Sequence, residues 1–286
     1  SPPAAVWVKR ALAVPAKQVS VIPNGIDINH FRPGQAPDFK KQLGMGEDEP
    51  LVTLCSRMAW GKTRVIEDAI YAVEELHQET GVHLAIAGSG PDSPFVHATA
   101  NMVNQRQKHD IIHITGALLD PVDAYRAADM VIGTARVALE AMSTGRPVIA
   151  AGNSGYFGIV TPANFAQGWE VYFGDHDFIA LPSRTRFAKD IETLLQKGRG
   201  TEQETLRRMV AAHFKVETVA RSLADLYYQV LSGQANPRFV QIRSSTRAAS
   251  PATPEPAPPP ARQEPQQQPQ SGDDRPLVSI VIPTHN

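Results

Sequence analysis

Cysteine is almost missing from this sequence: Cys55 is the single thiol in 286 residues. That excludes an internal disulfide and a cysteine-rich metal site, and it fits a reducing compartment such as the cytoplasm. Cys55 closes an apolar run and reads as a buried, inert thiol. Excess charge is missing too. The net charge is -1, so no basic surface recommends nucleic acid as a partner. No apolar run approaches the ~20 residues of a membrane span, so membrane association is expected to be peripheral at most. No secretory leader is visible. The chain opens at Ser1 rather than methionine, which reads as a piece of a longer protein.

Several chemical signatures are also lacking. There is no Gly-x-Gly-x-x-Gly fingerprint, which argues against a nicotinamide nucleotide. No Ser-His-Asp arrangement or zinc spacing stands out. His83 and His113 fall in strand patterns and read as sheet or core residues, and Asp175-His176-Asp177 does not read as a metal cluster on spacing alone. No metal is expected.

What is present is a strand–helix alternation from residue 19 to about 175. Continuous apolar runs at 19–22, 51–55, 83–87, 111–115, 130–132 and 148–151 read as parallel strands covered on both faces. Val65, Ile66, Ala69, Ile70, Val73 and Leu76 recur at helical spacing, and shorter helices are predicted over 120–128 and 136–143. After residue 182 the pattern is helical, over 187–197, 202–213 and 216–230. The fold class is therefore α/β, a Rossmann-like doubly wound parallel sheet followed by C-terminal helices, with ligands beyond the carboxyl ends of the strands.

A first domain is expected over 1–235. Residues 236–275 are rich in Pro, Gln, Ser and Ala, with little apolar content to offset the entropy of ordering. They read as a disordered linker. PLVSIVIPTHN, 276–286, returns to a strand pattern and reads as the start of a further, truncated domain.

Four loops fall where this fold binds ligands. In IPNGID, Asn24-Gly25 makes a tight turn that brings backbone close to a neighbour. In SRMAWGKTR, Arg57 and Lys62 flank the start of a helix, where two cations suit a diphosphate; stray solvated charges are the alternative. In AGSGP, Gly88 and Gly90 either let amides approach a ligand or make a plain turn. In GTARVALEAMSTGRPVIA, Arg136 sits in a helix first turn, where the dipole disfavours a cation. It either forms a surface pair with Glu140, or Thr134, Ala135 and Arg136 hold an anion while Glu140 accepts hydrogen bonds from sugar hydroxyls.

The order of these motifs is itself informative. VSVIPNGIDINHFRPG, LCSRMAWGK with its R-x4-K spacing, LAIAGSGP, ITGALLDPVDAYRAADMVIG and ALEAMSTGRPVIA together resemble the C-terminal, donor-binding half of glycosyltransferase family 4, the group 1 transferases of GT-B fold. The resemblance spans residues 1 to 231. GTARVALEAM, GNSGYFGIV and YFGDHD look like a bacterial subgroup of it. PLVSIVIPTHN is similar to the opening strand of family 2, GT-A type transferases, which implies a fusion of two transferases.

The resemblance implies a donor such as a UDP- or GDP-sugar, used without a metal. Arg57 and Lys62 would grip its diphosphate and stabilise the departing nucleotide as the catalytic pair. Glu140 would bind the ribose, Gly88 and Gly90 would line the cleft, and residues 116–118, Leu118 included, would meet the base. It further implies a retaining hexosyltransferase of bacterial cell-surface glycan synthesis, working at the inner face of the membrane. The saccharide or lipid-linked acceptor would be held by an N-terminal domain outside this chain, and the fragment alone would not turn over. Two positions depart from the pattern: Ile132 stands where the family has the first Glu of its E-x7-E motif, and Ala135 replaces a Gly. Two alternatives follow, a non-catalytic donor-site scaffold and a sugar-nucleotide 2-epimerase.

Overall fold

Apolar runs with no polar face need cover on both sides, and that need organises this chain. The computed structural model describes residues 1–16, 19–59, 61–176, 180–198 and 200–232. The expected linker and terminal strand lie outside the described residues. The described elements run α1 (Pro2–Ala11), α2 (Pro37–Gln42), β1 (Leu51–Cys55), α3 (Gly61–Thr80), β2 (His83–Ala87), α4 (Ser93–Gln107), β3 (Ile112–Gly116) and α5 (Val122–Ala127). They continue β4 (Met130–Gly133), α6 (Ala135–Ser143), β5 (Val148–Gly152), β6 (Gly155–Ile159), α7 (Phe165–Glu170), α8 (Arg184–Lys197), α9 (Thr201–Phe214) and α10 (Val216–Leu231).

One sheet has the order β3-β2-β1-β4-β5-β6. The first five strands are parallel, and β6 pairs antiparallel with β5. On one face, α3, α4 and α8 pack Val65, Ile66, Ile70, Val96, Val103, Phe187 and Ile191 against the strands. On the other, α5, α6, α7 and α9 supply Tyr125, Leu139, Met142, Phe165, Trp169, Val210 and Phe214. Thr53 is fully buried in β1, and its hydroxyl donates to the Ala124 carbonyl at 3.2 Å, so no hydrogen-bonding group is stranded there. The order reverses between β1 and β4, and the crevice at that switch is where this fold takes ligands.

Five of the six predicted strands appear, β1 and β2 at their expected bounds and β3, β4 and β5 within a residue of them. The strand predicted at 19–22 does not form. Val19 and Val21 are buried in the second core, but the segment joins no sheet. Four residues further on, Ile26 forms an isolated bridge: its N–H donates to the Phe214 carbonyl at 2.7 Å and its carbonyl accepts from Val216 N–H at 3.0 Å. Hydrophobic burial here comes from packing beside the α9–α10 junction, without a ladder. Four further helices and β6 carry weak patterns. In α4 only Val96, Thr99, Ala100 and Val103 are buried, and Pro94 lies in the first turn.

Candidate functional site

The loops after β1, β2 and β3 are hydrogen-bonded into one floor. Ser56 N–H donates to Ala87 O at 3.0 Å, Met58 N–H to Ser89 O at 3.0 Å, and Gly88 N–H to Gly116 O at 2.8 Å. This close meeting of backbones explains two glycines. A Cβ on Gly88 would lie 1.8 Å from the Ser56 carbonyl oxygen, and one on Gly90 would lie 2.3 Å from that of Met58. Both glycines are demanded by loop-on-loop packing.

Above this floor opens a cleft of about 270 Å³, lined by Cys55, Ser56, Arg57, Lys62, Ala87, Gly88, Ser89, Ala117, Leu118, Thr134 and Val137. It lies at the carboxyl ends of β1, β2 and β4, with the first turn of α3 supplying Lys62. Arg57 is exposed and, among the described residues, makes no ion pair. The cleft therefore presents one uncommitted guanidinium and one ammonium beside a helix N-terminus, a setting for an anion. Cys55 is half-buried on the cleft wall, and burial pushes its thiol pKa up, so it stays protonated.

Five of the sequence-predicted residues thus converge: Arg57, Lys62, Gly88, Leu118 and Thr134. Gly25 does not join them. A Cβ there would meet Val216 Cα at 2.7 Å, so the neighbour its turn approaches is the start of α10, while Asn24 donates to the Tyr172 hydroxyl at 3.1 Å. Gly90, Ala135, Arg136 and Glu140 also lie off the cleft lining.

The Arg136 puzzle is resolved within the protein. Its Nε donates to Glu140 Oε1 at 2.6 Å, and the Tyr125 hydroxyl donates to Oε2 at 3.3 Å. Glu140 is almost wholly buried while Arg136 is more than half exposed, so the guanidinium offsets part of the cost of burying the carboxylate. Burial nonetheless raises the Glu140 pKa, with Arg136 and Tyr125 pulling it back. A raised acid pKa means that folding disfavours the ionised form. The resulting penalty is absent below the ordinary value of 4.5 and grows as pH rises through the folded value. Glu140→Gln is therefore expected to flatten the fall in melting temperature as pH rises from 4.5 toward neutrality. Thermal scans of both proteins across that range check it, and parallel profiles would refute it.

Sequence reasoning missed Asp175. Its Oδ1 lies 3.6 Å from Lys62 Nζ and 3.5 Å from the Thr134 hydroxyl, and its Oδ2 lies 3.6 Å from His176 Nε2. A strained turn delivers it. Tyr172 (φ 49°) and Phe173 (φ 54°) are left-handed without being glycine, as is Ala135 (φ 52°), whose N–H donates to Tyr172 O at 3.2 Å. Such conformations cost on the order of 1 kcal/mol or more each and persist where packing enforces them. Here Tyr172 and Phe173 are almost wholly buried, beside Trp169 and Phe165 respectively. In the sequence it lies within YFGDHD, a stretch that points to no metal by spacing and otherwise carries only the subgroup resemblance.

Residues 49–197, more than half of the chain, match the family model for glycosyl transferases group 1. The chain belongs to that family. It is 29% identical over 178 residues to an uncharacterised glycosyltransferase of Methanocaldococcus jannaschii, covering 58% of this chain and 44% of the relative. It is 25% identical over 220 residues to the lipopolysaccharide core biosynthesis mannosyltransferase LpsB of Rhizobium meliloti, covering 74% of this chain and 61% of that enzyme. Anabaena HepE, solved in complex with UDP and glucose, superposes with a TM-score of 0.58 at 19% identity, over 75% of this chain and 58% of that one. That likeness establishes the shared GT-B type fold. The group 1 chain spans about half the length of the curated relatives it matches.

Proposed function

We propose that this chain is the donor-binding half of a family 4 glycosyltransferase that takes a nucleotide-sugar such as a UDP- or GDP-sugar. The observation that carries the proposal is the meeting of Arg57 and Lys62 at one cleft at the switch between β1 and β4. Arg57 forks two donors onto a phosphate, Lys62 supplies a point charge, and together they stabilise the negative charge that gathers on the departing diphosphate. Leu118 and Ala117 offer an apolar wall to the base. That HepE was solved with UDP is consistent with this ligand class.

In this reading the acceptor, a saccharide or a lipid-linked sugar, is held by a domain outside this chain, and transfer is retaining. The protein then works in the cytoplasm at the inner face of a bacterial membrane, and its C-terminal segment leads into a fused family 2 transferase. The isolated chain binds donor without turning it over. No metal is needed in the cleft, because the two cations already face the diphosphate.

A second reading has specific support. Ile132, fully buried in β4, stands where the family carries a sugar-contacting Glu, so a non-catalytic donor-site scaffold fits the same cleft. The test of the first reading is calorimetric titration with UDP, GDP and their glucose and mannose conjugates, with melting temperature as a parallel readout. Saturating ligand at about 100 times Kd is expected to add about 2.7 kcal/mol of stability. Absence of binding by any sugar nucleotide would sink both readings. If Arg57→Ala in the complete protein leaves product formation unchanged, the scaffold reading stands.

A further inference from the structure

The opposite end of the sheet carries a second cluster of chemistry-bearing side chains that the nucleotide cleft does not use. His83 opens β2, His113 lies in β3, His109 follows α4, His77 is in the last turn of α3, and Glu49 precedes β1. No sequence motif joins them, since they come from five segments; the parallel sheet assembles them.

Their geometry is that of a ligand set. One ligand atom each from Glu49, His83 and His109 lies within 4.8 Å of the others. His83 is almost completely buried, and its Nε2 has no hydrogen-bond partner. An orphaned buried nitrogen is unfavourable, and an ion bound there would satisfy it. Glu49 Oε2 faces it at 3.9 Å, too far for a direct hydrogen bond and close enough to share a cation. The other nitrogen of His83 is already tied: Nδ1 lies 3.0 Å from His113 Nε2, with the two rings stacked 5.3 Å apart. In the ligating tautomer Nδ1 carries the proton and donates it to His113, leaving the Nε2 lone pair aimed at the cluster. Metal-bound histidines are held in this way by the partner of their second nitrogen. Burial pushes the His83 pKa down to about 4, which keeps the ring in its neutral, ligating form. Glu49 is steadied by the Gly46 N–H, which donates to Oε2 at 2.7 Å and lowers its pKa.

We propose that Glu49, His83 and His109 bind a divalent transition-metal ion, Zn(II) by preference, with His113 as the positioning residue behind His83. Two imidazoles and one carboxylate suit Zn(II), Co(II) or Ni(II), whereas Mg(II) and Ca(II) favour all-oxygen shells. Tetrahedral bonds of about 2.0–2.2 Å place ligand atoms roughly 3.4 Å apart, so shifts of about 1 Å complete the shell. His109 is exposed and can make that movement. His77 packs edge-on against His83 at 5.2 Å, with its Nδ1 held by the Val82 carbonyl at 3.0 Å, and it braces the ligands without joining them. The bound ion ties the loop before β1, the start of β2 and the loop after α4 at the amino ends of the strands. Water fills the fourth position.

The experiment uses the tag-free chain, stripped with EDTA, titrated with Zn(II) by calorimetry and with Co(II) by visible absorption. One ion per chain is expected, with a Co(II) spectrum of tetrahedral type. His109→Ala and Glu49→Gln change exposed or half-exposed groups and keep the fold, as circular dichroism will verify. Each is expected to weaken binding at least tenfold, and His113→Phe, acting through His83, about tenfold. Zinc should raise the melting temperature of the wild type but not of the His109→Ala, Glu49→Gln double variant. Equal Zn(II) affinity in wild type and double variant, or no saturable binding by the wild type, overturns the assignment.

Discussion

Replacing Arg57 and Lys62 together by alanine is expected to abolish the nucleotide-induced rise in melting temperature. Charge-assisted hydrogen bonds contribute roughly 1.5–3 kcal/mol each, so either single change should weaken UDP or GDP binding about 10- to 100-fold. The pair should weaken it about 10²- to 10⁴-fold, with additivity only approximate because both cations face one ligand. The unliganded protein should keep most of its stability, since Arg57 is exposed and, among the described residues, the Lys62 ammonium has its contact with Asp175 to lose. Arg64→Ala is the control. It sits in the same helix, exposed, against Asp68 rather than on the cleft lining, and should leave titration with nucleotide unchanged. A double variant that binds as wild type does would remove the diphosphate assignment.

The second large effect is expected at Gly88→Ala. The new Cβ would lie 1.8 Å from a backbone carbonyl, so no side chain can swing away to relieve it. Relief requires parting the loops after β1 and β2, which breaks the Ser56–Ala87 and Met58–Ser89 hydrogen bonds of the cleft floor. A stability loss of about 3 kcal/mol or more is expected, and roughly 2–4 °C per kcal/mol makes that a fall of about 6–12 °C in melting temperature. Nucleotide affinity should fall with it. Gly200→Ala provides the contrast, because nothing lies within 4 Å of its new Cβ. If both variants melt alike, the loop-contact explanation of Gly88 fails.

Much of this was legible in the sequence where burial and periodicity coincide. β1 and β2 are all but fully buried runs, and α3 shows its apolar stripe plainly, so these elements and the crevice they define could be read directly. Segment 19–22 misled because an apolar run reports burial, whereas a strand also needs a partner edge. α4 and β6 escape a sequence reading for the converse reason: one has little amphipathic contrast, and the other is a short edge strand with two glycines, Gly155 and Gly158, among its five residues. At the site, Arg57 and Lys62 are separated by four intervening residues across a strand–helix turn, a spacing short enough to read. Asp175 lies more than a hundred residues away, and only the folded turn at Tyr172–Gly174 brings it to Lys62. The histidine cluster is the extreme case, because its members share no periodicity and meet only through sheet register, His83 pairing with Leu51 on one side and Leu84 with Ile112 on the other.

The Lys62–Asp175 contact has a bearing on selectivity. A carboxylate already beside the ammonium acts as a resident competitor, so an incoming anion must outbid it as well as shed its own water. A singly charged ion such as chloride gains little from that exchange. A diphosphate gains more, because it can engage Arg57 at the same time and spread the exchange over two cations. If the proposed nucleotide is the ligand, the cleft is thereby tuned against small anions by a side chain that never needs to touch it.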